Sequence, residues 1–472
     1  MLSKQTLARR QIMERLFLAT VSRLNPSERT TQILAEADWK PKKTVIVAVG
    51  KAALSMCSGS VIHLTMNGHA LAGGVIIVPR ATAGAAAFGL DSDDGVEDAT
   101  PRDLTGDELT APFDVEGASG EADADVAFPQ VLPGGQPHPD ESSLIAAQRA
   151  LDVVAGAPPD AEILVLLSGG ASSLMALPAP GLTLADKNAV VGAIIASGAD
   201  RRTVNMVRKH LSAIKGGRLA AAARVPMATL VASDVVGDDL TAVGSGPTLP
   251  NQTSVREVCD IIASTVGWSR LPWRVRAYLD ASLAGEVPEM PSLIRPGDRV
   301  ALVAGTGALV EAGLEAADEQ GFTPRVFERD ILDDVETVAS RVAAQARRLA
   351  VAGTQSRLCF VGGGEPSLSL PANPGVGGRA QHLALSIARE IVGVGGVTVL
   401  VAASDGIDGN TEAAGAVVDG NTWDSLLNAG VDPAQALASF DTGRALDTIG
   451  ATLLTGASEI KHGDLIMIAT GV

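Results

Sequence analysis

Short apolar runs ending in glycine or aspartate recur along this chain. Residues 44–49 run into Gly50-Lys51, 163–167 into Ser168-Gly169-Gly170, and 228–232 into Ser233-Asp234. Likewise 299–304 run into Gly305-Thr306-Gly307, 358–361 into Gly362-Gly363-Gly364, and 397–402 into Ser404-Asp405-Gly406. A helix-like segment follows these turns. Runs that are apolar at consecutive positions belong to strands buried on both faces, which predicts parallel α/β sheets. Ligands of such sheets bind beyond the carboxyl ends of the strands, so all six turns are candidate site positions.

Near the start, Met13, Leu16, Phe17, Val21 and Leu24 recur at helical spacing before Pro26, predicting a docked N-terminal helix. Arg9, Arg10 and Arg15 give this stretch the look of a transit peptide, but Glu14 interrupts the basic run. Two segments break the strand-turn-helix rhythm. Residues 91–127 lack apolar periodicity and read as a surface insertion. Residues 286–297 contain Pro288, Pro291 and Pro296 and read as a linker or a domain edge. With 472 residues the chain exceeds a single core. The main boundary is expected near Pro250, separating a domain of 1–250 from one of 251–472.

Composition narrows the function classes. The chain carries −17 overall; residues 91–127 hold 13 Asp or Glu and one Arg, leaving −5 for the rest. Such a balance repels nucleic acid and anionic membrane, and no apolar run has membrane-spanning length. Cys57, Cys259 and Cys359 are scattered without metal-ligand spacing, which points to a reducing compartment and a cytoplasmic setting.

Within this acidic chain, particular turns carry chemistry. Lys51, just after a strand, would add its charge to the free N–H groups of a helix start, where phosphate binds. Ser168-Gly169-Gly170-Ala171-Ser172-Ser173 has the composition of a phosphate loop, although it lacks the Gly-Lys-Ser/Thr ending of a Walker A loop. It contains no Gly-x-Ser-x-Gly elbow, so a hydrolase triad has no anchor. Arg208, Lys209, His210, Lys215 and Arg218 concentrate positive charge within eleven residues; on one continuous helix Arg208, Leu211 and Lys215 share a face. Such a patch suits a carboxylate or a polyphosphate. Asp234, Asp238 and Asp239 offer carboxylates for magnesium, or for accepting a proton from an attacking hydroxyl, and equally suit turns and caps. Gly363 and Glu365, Arg379 and Gln381, and Asp405 and Asp408 complete the candidate turns.

Together these segments resemble the glycerate 2-kinase family of the MOFRL type, whose members are often labelled hydroxypyruvate reductase. The likeness runs from Val49-Gly50-Lys51-Ala52-Ala53 through residues 167–174, 205–220, 233–239 and 244–248. It continues through 362–366 and 377–385 to 403–420. The resemblance implies an N-terminal Rossmann-like parallel sheet, a C-terminal MOFRL α/β domain over about residues 355–470, and an active cleft between them. It also implies ATP and Mg2+. Ala380 and His382 stand where Asn and Glu are usual, and residues 455–464 lack the usual Thr-Gly-Pro-Thr-rich run.

The reaction implied moves the γ-phosphoryl of ATP to the 2-hydroxyl of D-glycerate, giving 2-phosphoglycerate. Lys51 and Arg379 are assigned to the transferring phosphoryl, and Ser168, Gly169, Gly170 and Ser172, with Gly363 and Glu365, to phosphate and nucleotide binding. Arg208 or Lys215 would hold the substrate carboxylate, with Gln381, Asp405 and Asp408 also facing substrate. Asp234, with Asp239 or Asp405 as substitutes, would bind magnesium or act as base. Two alternatives stay open: a same-family kinase for another small hydroxy acid, and a nicotinamide-dependent hydroxypyruvate reductase. The second needs Gly-x-Gly-x-x-Gly after a strand, and Gly305-Thr306-Gly307 lacks the third glycine. The expected partner is a small-molecule substrate, and a homo-oligomer is left open.

Overall fold

The computed structural model describes residues 4–87, 127–351 and 357–471. Nearly all of the acidic insertion of 91–127 lies outside them. The chain forms two compact units. One comprises residues 30–232 and 239–303; the other comprises 1–29, 233–238 and 304–472.

The first unit is built on strands β1 (Lys43–Val49), β2 (Ala70–Pro79), β3 (Gln130–Gly134), β4 (Ala161–Leu167), β5 (Met227–Ala232) and β6 (Arg299–Ala304). Their order is β3-β2-β1-β4-β5-β6, with β1, β2, β3, β4 and β5 paired in parallel. This is the doubly wound arrangement expected of a Rossmann-like domain. Strands β1 and β4 are buried almost throughout because helices cover both faces, which is why their sequences are apolar without alternation. The order reverses between β1 and β4, so the topological switch point lies there.

The other unit contains β7 (Thr323–Val326), β8 (Leu358–Gly364), β9 (Val397–Ala403), β10 (Gly415–Asp419), β11 (Thr452–Leu453) and β12 (Asp464–Thr470). Their order is β11-β10-β9-β12-β8-β7. Here the parallel expectation needs correction. Strand β12 enters between β8 and β9 and is antiparallel to both; β10 is antiparallel to β9 and β11, while β7 and β8 pair in parallel. The apolar pattern reported two-sided burial, which helices Val335–Val351 and Arg379–Glu390 supply on one face. Helix Thr306–Glu319 and the N-terminal helix supply it on the other. Burial does not encode strand direction.

The domain boundary also moves. The predicted N-terminal helix exists, as Lys4–Ser22, but Met13, Leu16 and Phe17 share a core with Leu309 of helix Thr306–Glu319 and with Leu400 and Met467 of the second sheet. Arg10 reinforces the docking by donating to the carbonyl of Ile449 at 2.8 Å. A contiguous division at Pro250 therefore misplaces the first 29 residues, the segment 233–238, and residues 251–303. Helical spacing identifies the apolar face but not the sheet that receives it.

Candidate active site

In the first unit, strand register aligns Val49 with Leu167. The turns after β1 and β4 are then tied together. Ser168 N–H donates to Val49 O at 2.9 Å, Lys51 N–H donates to Gly169 O at 3.0 Å, and Ala52 N–H donates to Ser168 Oγ at 3.1 Å. A Cβ at Gly50, whose φ is +131°, would lie 2.7 Å from Ser168 O. Gly50 is required twice, by its backbone and by this approach.

Ser168 is buried and its hydroxyl is engaged, so it fixes the turn from within instead of presenting a hydroxyl to ligand. The Gly169 and Gly170 N–H groups make no hydrogen bond with described residues, and Gly170 takes φ +90° before the short helix Ala171–Leu174. Successive free N–H groups in such a turn form an anion-binding concavity. Lys51 is exposed beside it. Ser172 Oγ meets Ser245 Oγ at 3.0 Å, and Ser245 Oγ donates to Asn205 Oδ1 at 3.2 Å, so Ser172 braces the platform.

The basic run behaves differently from a single helix. The helix Arg201–His210 ends there, and Leu211 caps it. The chain beyond is fastened to residues 244–247: Gly216 N–H donates to Ser245 O, Gly217 N–H to Gly246 O, and Leu219 N–H to Pro247 O. Lys215 consequently leaves the expected helical face. It is fully buried, and its Nζ donates to Met175 O at 3.2 Å and Gly244 O at 3.1 Å. Burial first, then the charges of Lys187 and Arg208, holds its pKa well below the usual lysine value. Its visible work is structural, joining two loops, instead of the expected grip on a carboxylate. Arg208 keeps partial exposure.

Asp239 is exposed and accepts from Thr241 N–H at 3.0 Å and Thr241 Oγ at 2.7 Å, which makes it a turn former. Among the described residues no three His, Cys, Asp or Glu side chains group to hold a metal. Protein donors to magnesium would thus be few, as is usual where phosphates and water complete its shell.

In the second unit, β12 decides the site. Its first residue, Asp464, pairs with Gly364 on one side and Ala403 on the other. Asp464 is fully buried and receives Arg379 in bidentate fashion, Nε at 2.6 Å and Nη2 at 3.0 Å. Arg379 Nη1 reaches Glu365 at 3.1 Å. The guanidinium expected on a phosphoryl group thus already faces two carboxylates. Glu365 is likewise committed to an ion pair and makes no phosphate cradle.

Gly363 is also revised. It is an interior residue of β8, where a Cβ would lie 2.9 Å from Val310 Cγ2. The Gly362-Gly363-Gly364 run permits helix and loop to approach the strand; it is not an open turn. Asp408 accepts from Ala380 N–H at 3.0 Å and Gln381 N–H at 2.7 Å, capping the helix that begins at Arg379. Burial, then Asp464, pushes its pKa up to about 7. The position explains Asp408 as a cap and removes it from substrate contact. Gln381 is buried with its Nε2 unpaired among the described residues, and His382 stacks on Phe440 at 4.9 Å between ring centroids. Asp405 remains partly exposed, 3.6 Å from Lys461. Asp234 is partly exposed near buried His462, whose Nδ1 lies 2.6 Å from Ser233 O.

Sequence reasoning missed Asp464 and Lys187, and it left Asp238 between a metal ligand and a turn former. Asp238, at φ +51°, accepts from Thr306 N–H and Gly307 N–H, both at 3.2 Å. A side-chain carboxylate thereby fills the Gly305-Thr306-Gly307 turn, where a reductase would seat pyrophosphate. The turn-forming reading of Asp238 is the one these bonds match; Asp464 and Lys187 had no signal in the sequence.

A free N–H concavity and an exposed lysine at the switch point of a doubly wound sheet define a phosphate-handling α/β enzyme. Residues 12–280 match the domain of unknown function DUF4147 and residues 358–461 match the MOFRL family. A glycerate 2-kinase of Pyrococcus horikoshii is 32% identical, over 72% of this chain and 77% of its own. A relative from Agrobacterium vitis, 36% identical over 72% of this chain and 77% of its own, carries a provisional hydroxypyruvate reductase name. The crystal structure of a glycerate kinase from Thermotoga maritima superposes with a TM-score of 0.80 at 26% identity, over 98% of this chain and 99% of that one. The chain belongs to the glycerate 2-kinase family of the MOFRL type, and it is a kinase.

Proposed function

We propose that this kinase transfers the γ-phosphoryl of ATP to the 2-hydroxyl of D-glycerate, giving 2-phosphoglycerate. The observation that carries the reading is the joined turn pair at the switch point, with free Gly169 and Gly170 N–H groups beside exposed Lys51. Phosphoryl transfer demands positioning and charge stabilisation more than covalent chemistry. The two N–H groups hold phosphate oxygens, and Lys51 follows the transferring group as a compact charge. Arg208 faces the carboxylate of the acid. Asp234 or Asp405, the partly exposed acidic candidates, takes the proton of the attacking hydroxyl or provides an oxygen to Mg2+, which when bound offsets phosphate charge. Arg379 orders the start of its helix through Asp464 and reaches phosphate only by exchanging a carboxylate for it. The filled Gly305-Thr306-Gly307 turn disfavours the nicotinamide reading.

A coupled ADP-release assay over glycerate, hydroxypyruvate, tartronate and four-carbon sugar acids, with phosphorus NMR of the product, tests this. Magnesium- and ATP-dependent 2-phosphoglycerate is the expected outcome. A 3-phosphoglycerate product would overturn the regiochemistry, and NADH oxidation without ATP turnover would overturn the kinase reading.

A further inference from the structure

Lys187 lies in helix Leu184–Ala196, is buried, and its Nζ has no hydrogen-bond partner among the described residues. The charges that act on it are those of Arg208 and Arg218, and Lys187 in turn acts on Lys215. Four cationic side chains from three stretches of the first unit thus converge. The causes acting on Lys187, Arg208 and Lys215 include no carboxylate. Around them, Asp186 is 3.9 Å from Arg274, Tyr278 acts on Arg218, and Arg201 acts on Arg208. Lys215 and Arg218 spend hydrogen bonds on main-chain carbonyls. Lys187 spends none. A buried cation without a partner costs several kcal/mol, so such groups are paired, ligand-bound or neutral.

We propose that Lys187, with Arg208 and Arg218, forms an oxyanion site that receives a carboxylate or phosphate group of a small ligand. Lys215, on which Lys187 acts, is bonded to Met175 O just after the Ala171–Leu174 helix that follows the phosphate-type turn. The inference rests on the glycerate kinase reading for the identity of the carboxylate, while the site itself stands on the cation cluster. Burial, then Arg208 and Arg218, lowers the Lys187 pKa to about 7. An anion favours the charged amine and raises that pKa again, so binding takes up a proton at pH 8 and takes up little at pH 6.

The test is titration calorimetry of the full chain at both pH values, in buffers of different ionisation enthalpy, with D-glycerate and with inorganic phosphate as separate probes. Proton uptake at pH 8, and its loss in Lys187→Met together with about tenfold or weaker binding, is the expected result. Glycerate dependence assigns a carboxylate, and phosphate dependence assigns a phosphoryl group. Arg208→Gln, at a partly exposed position, weakens the same probe should the Lys187 variant not fold. Binding of both probes without proton uptake and unaltered by either substitution overturns the site. ADP-release turnover with glycerate is read separately, so absence of kinase activity with intact Lys187-dependent anion binding overturns only the functional reading.

Discussion

Replacing Arg379 by alanine exposes how the second unit is held. Its guanidinium makes two charge-assisted hydrogen bonds, at 2.6 and 3.0 Å, to a carboxylate that has no access to water. Removing one partner of a buried pair costs about 3–5 kcal/mol, since the other charge stays behind. Arg379 keeps 28% of its side chain exposed, so solvent screening favours the lower end, about 3 kcal/mol. In a unit of this size that shifts melting by roughly 6–12 °C. The loss depends on pH. Burial raises the Asp464 pKa, and Arg379 opposes that rise. Without Arg379 the carboxyl moves further up. An acid raised in the fold contributes stability that is complete below the ordinary carboxylate range and is lost as pH climbs through the folded value. The Arg379→Ala deficit is therefore smallest near pH 4 and largest near pH 8. Differential scanning calorimetry across that range measures it, and Arg379→Ala/Asp464→Asn recovers much of the deficit by removing the stranded charge. A single variant that melts with the parent at pH 8, or a deficit that grows toward acid, refutes the reasoning.

Other outcomes follow from neighbouring geometry. Lys51→Ala lowers kcat about 10²-fold, the scale of losing a preorganised charge, and leaves the melting temperature unchanged because Lys51 is exposed; steady-state kinetics and thermal melting check both. Gly50→Ala forces a Cβ onto Ser168 and an L side chain into a left-handed backbone, so soluble yield and melting temperature fall together. Asp408→Ala strands the buried Ala380 and Gln381 N–H groups and costs about 1–3 kcal/mol, measurable by urea titration. Cys57 and Cys359, pushed up to about 12 by burial, resist iodoacetamide at pH 8 until denaturant is added, as mass spectrometry reports.

The sequence alone determined that strands would be buried on both faces, that their ends would carry turns, and that Lys51 would follow one of them. Those properties are local: apolar runs, a glycine with restricted alternatives, and a charge adjacent in the chain. It also identified the apolar stripe of the first helix. Only the tertiary structure decided which sheet that stripe covers, because spacing defines a face without naming its partner. Strand direction in the second sheet, and the arrival of Asp464 between β8 and β9, depend on pairings between residues far apart in the chain, Asp464 with Gly364 and with Ala403. Those pairings convert Arg379 and Glu365 from loose turn residues into an ion-paired network and turn Asp408 into a cap. Lys187 gave no signal at all: one lysine on a helix is ordinary until folding brings it under the charges of Arg208 and Arg218 and buries its amine away from water.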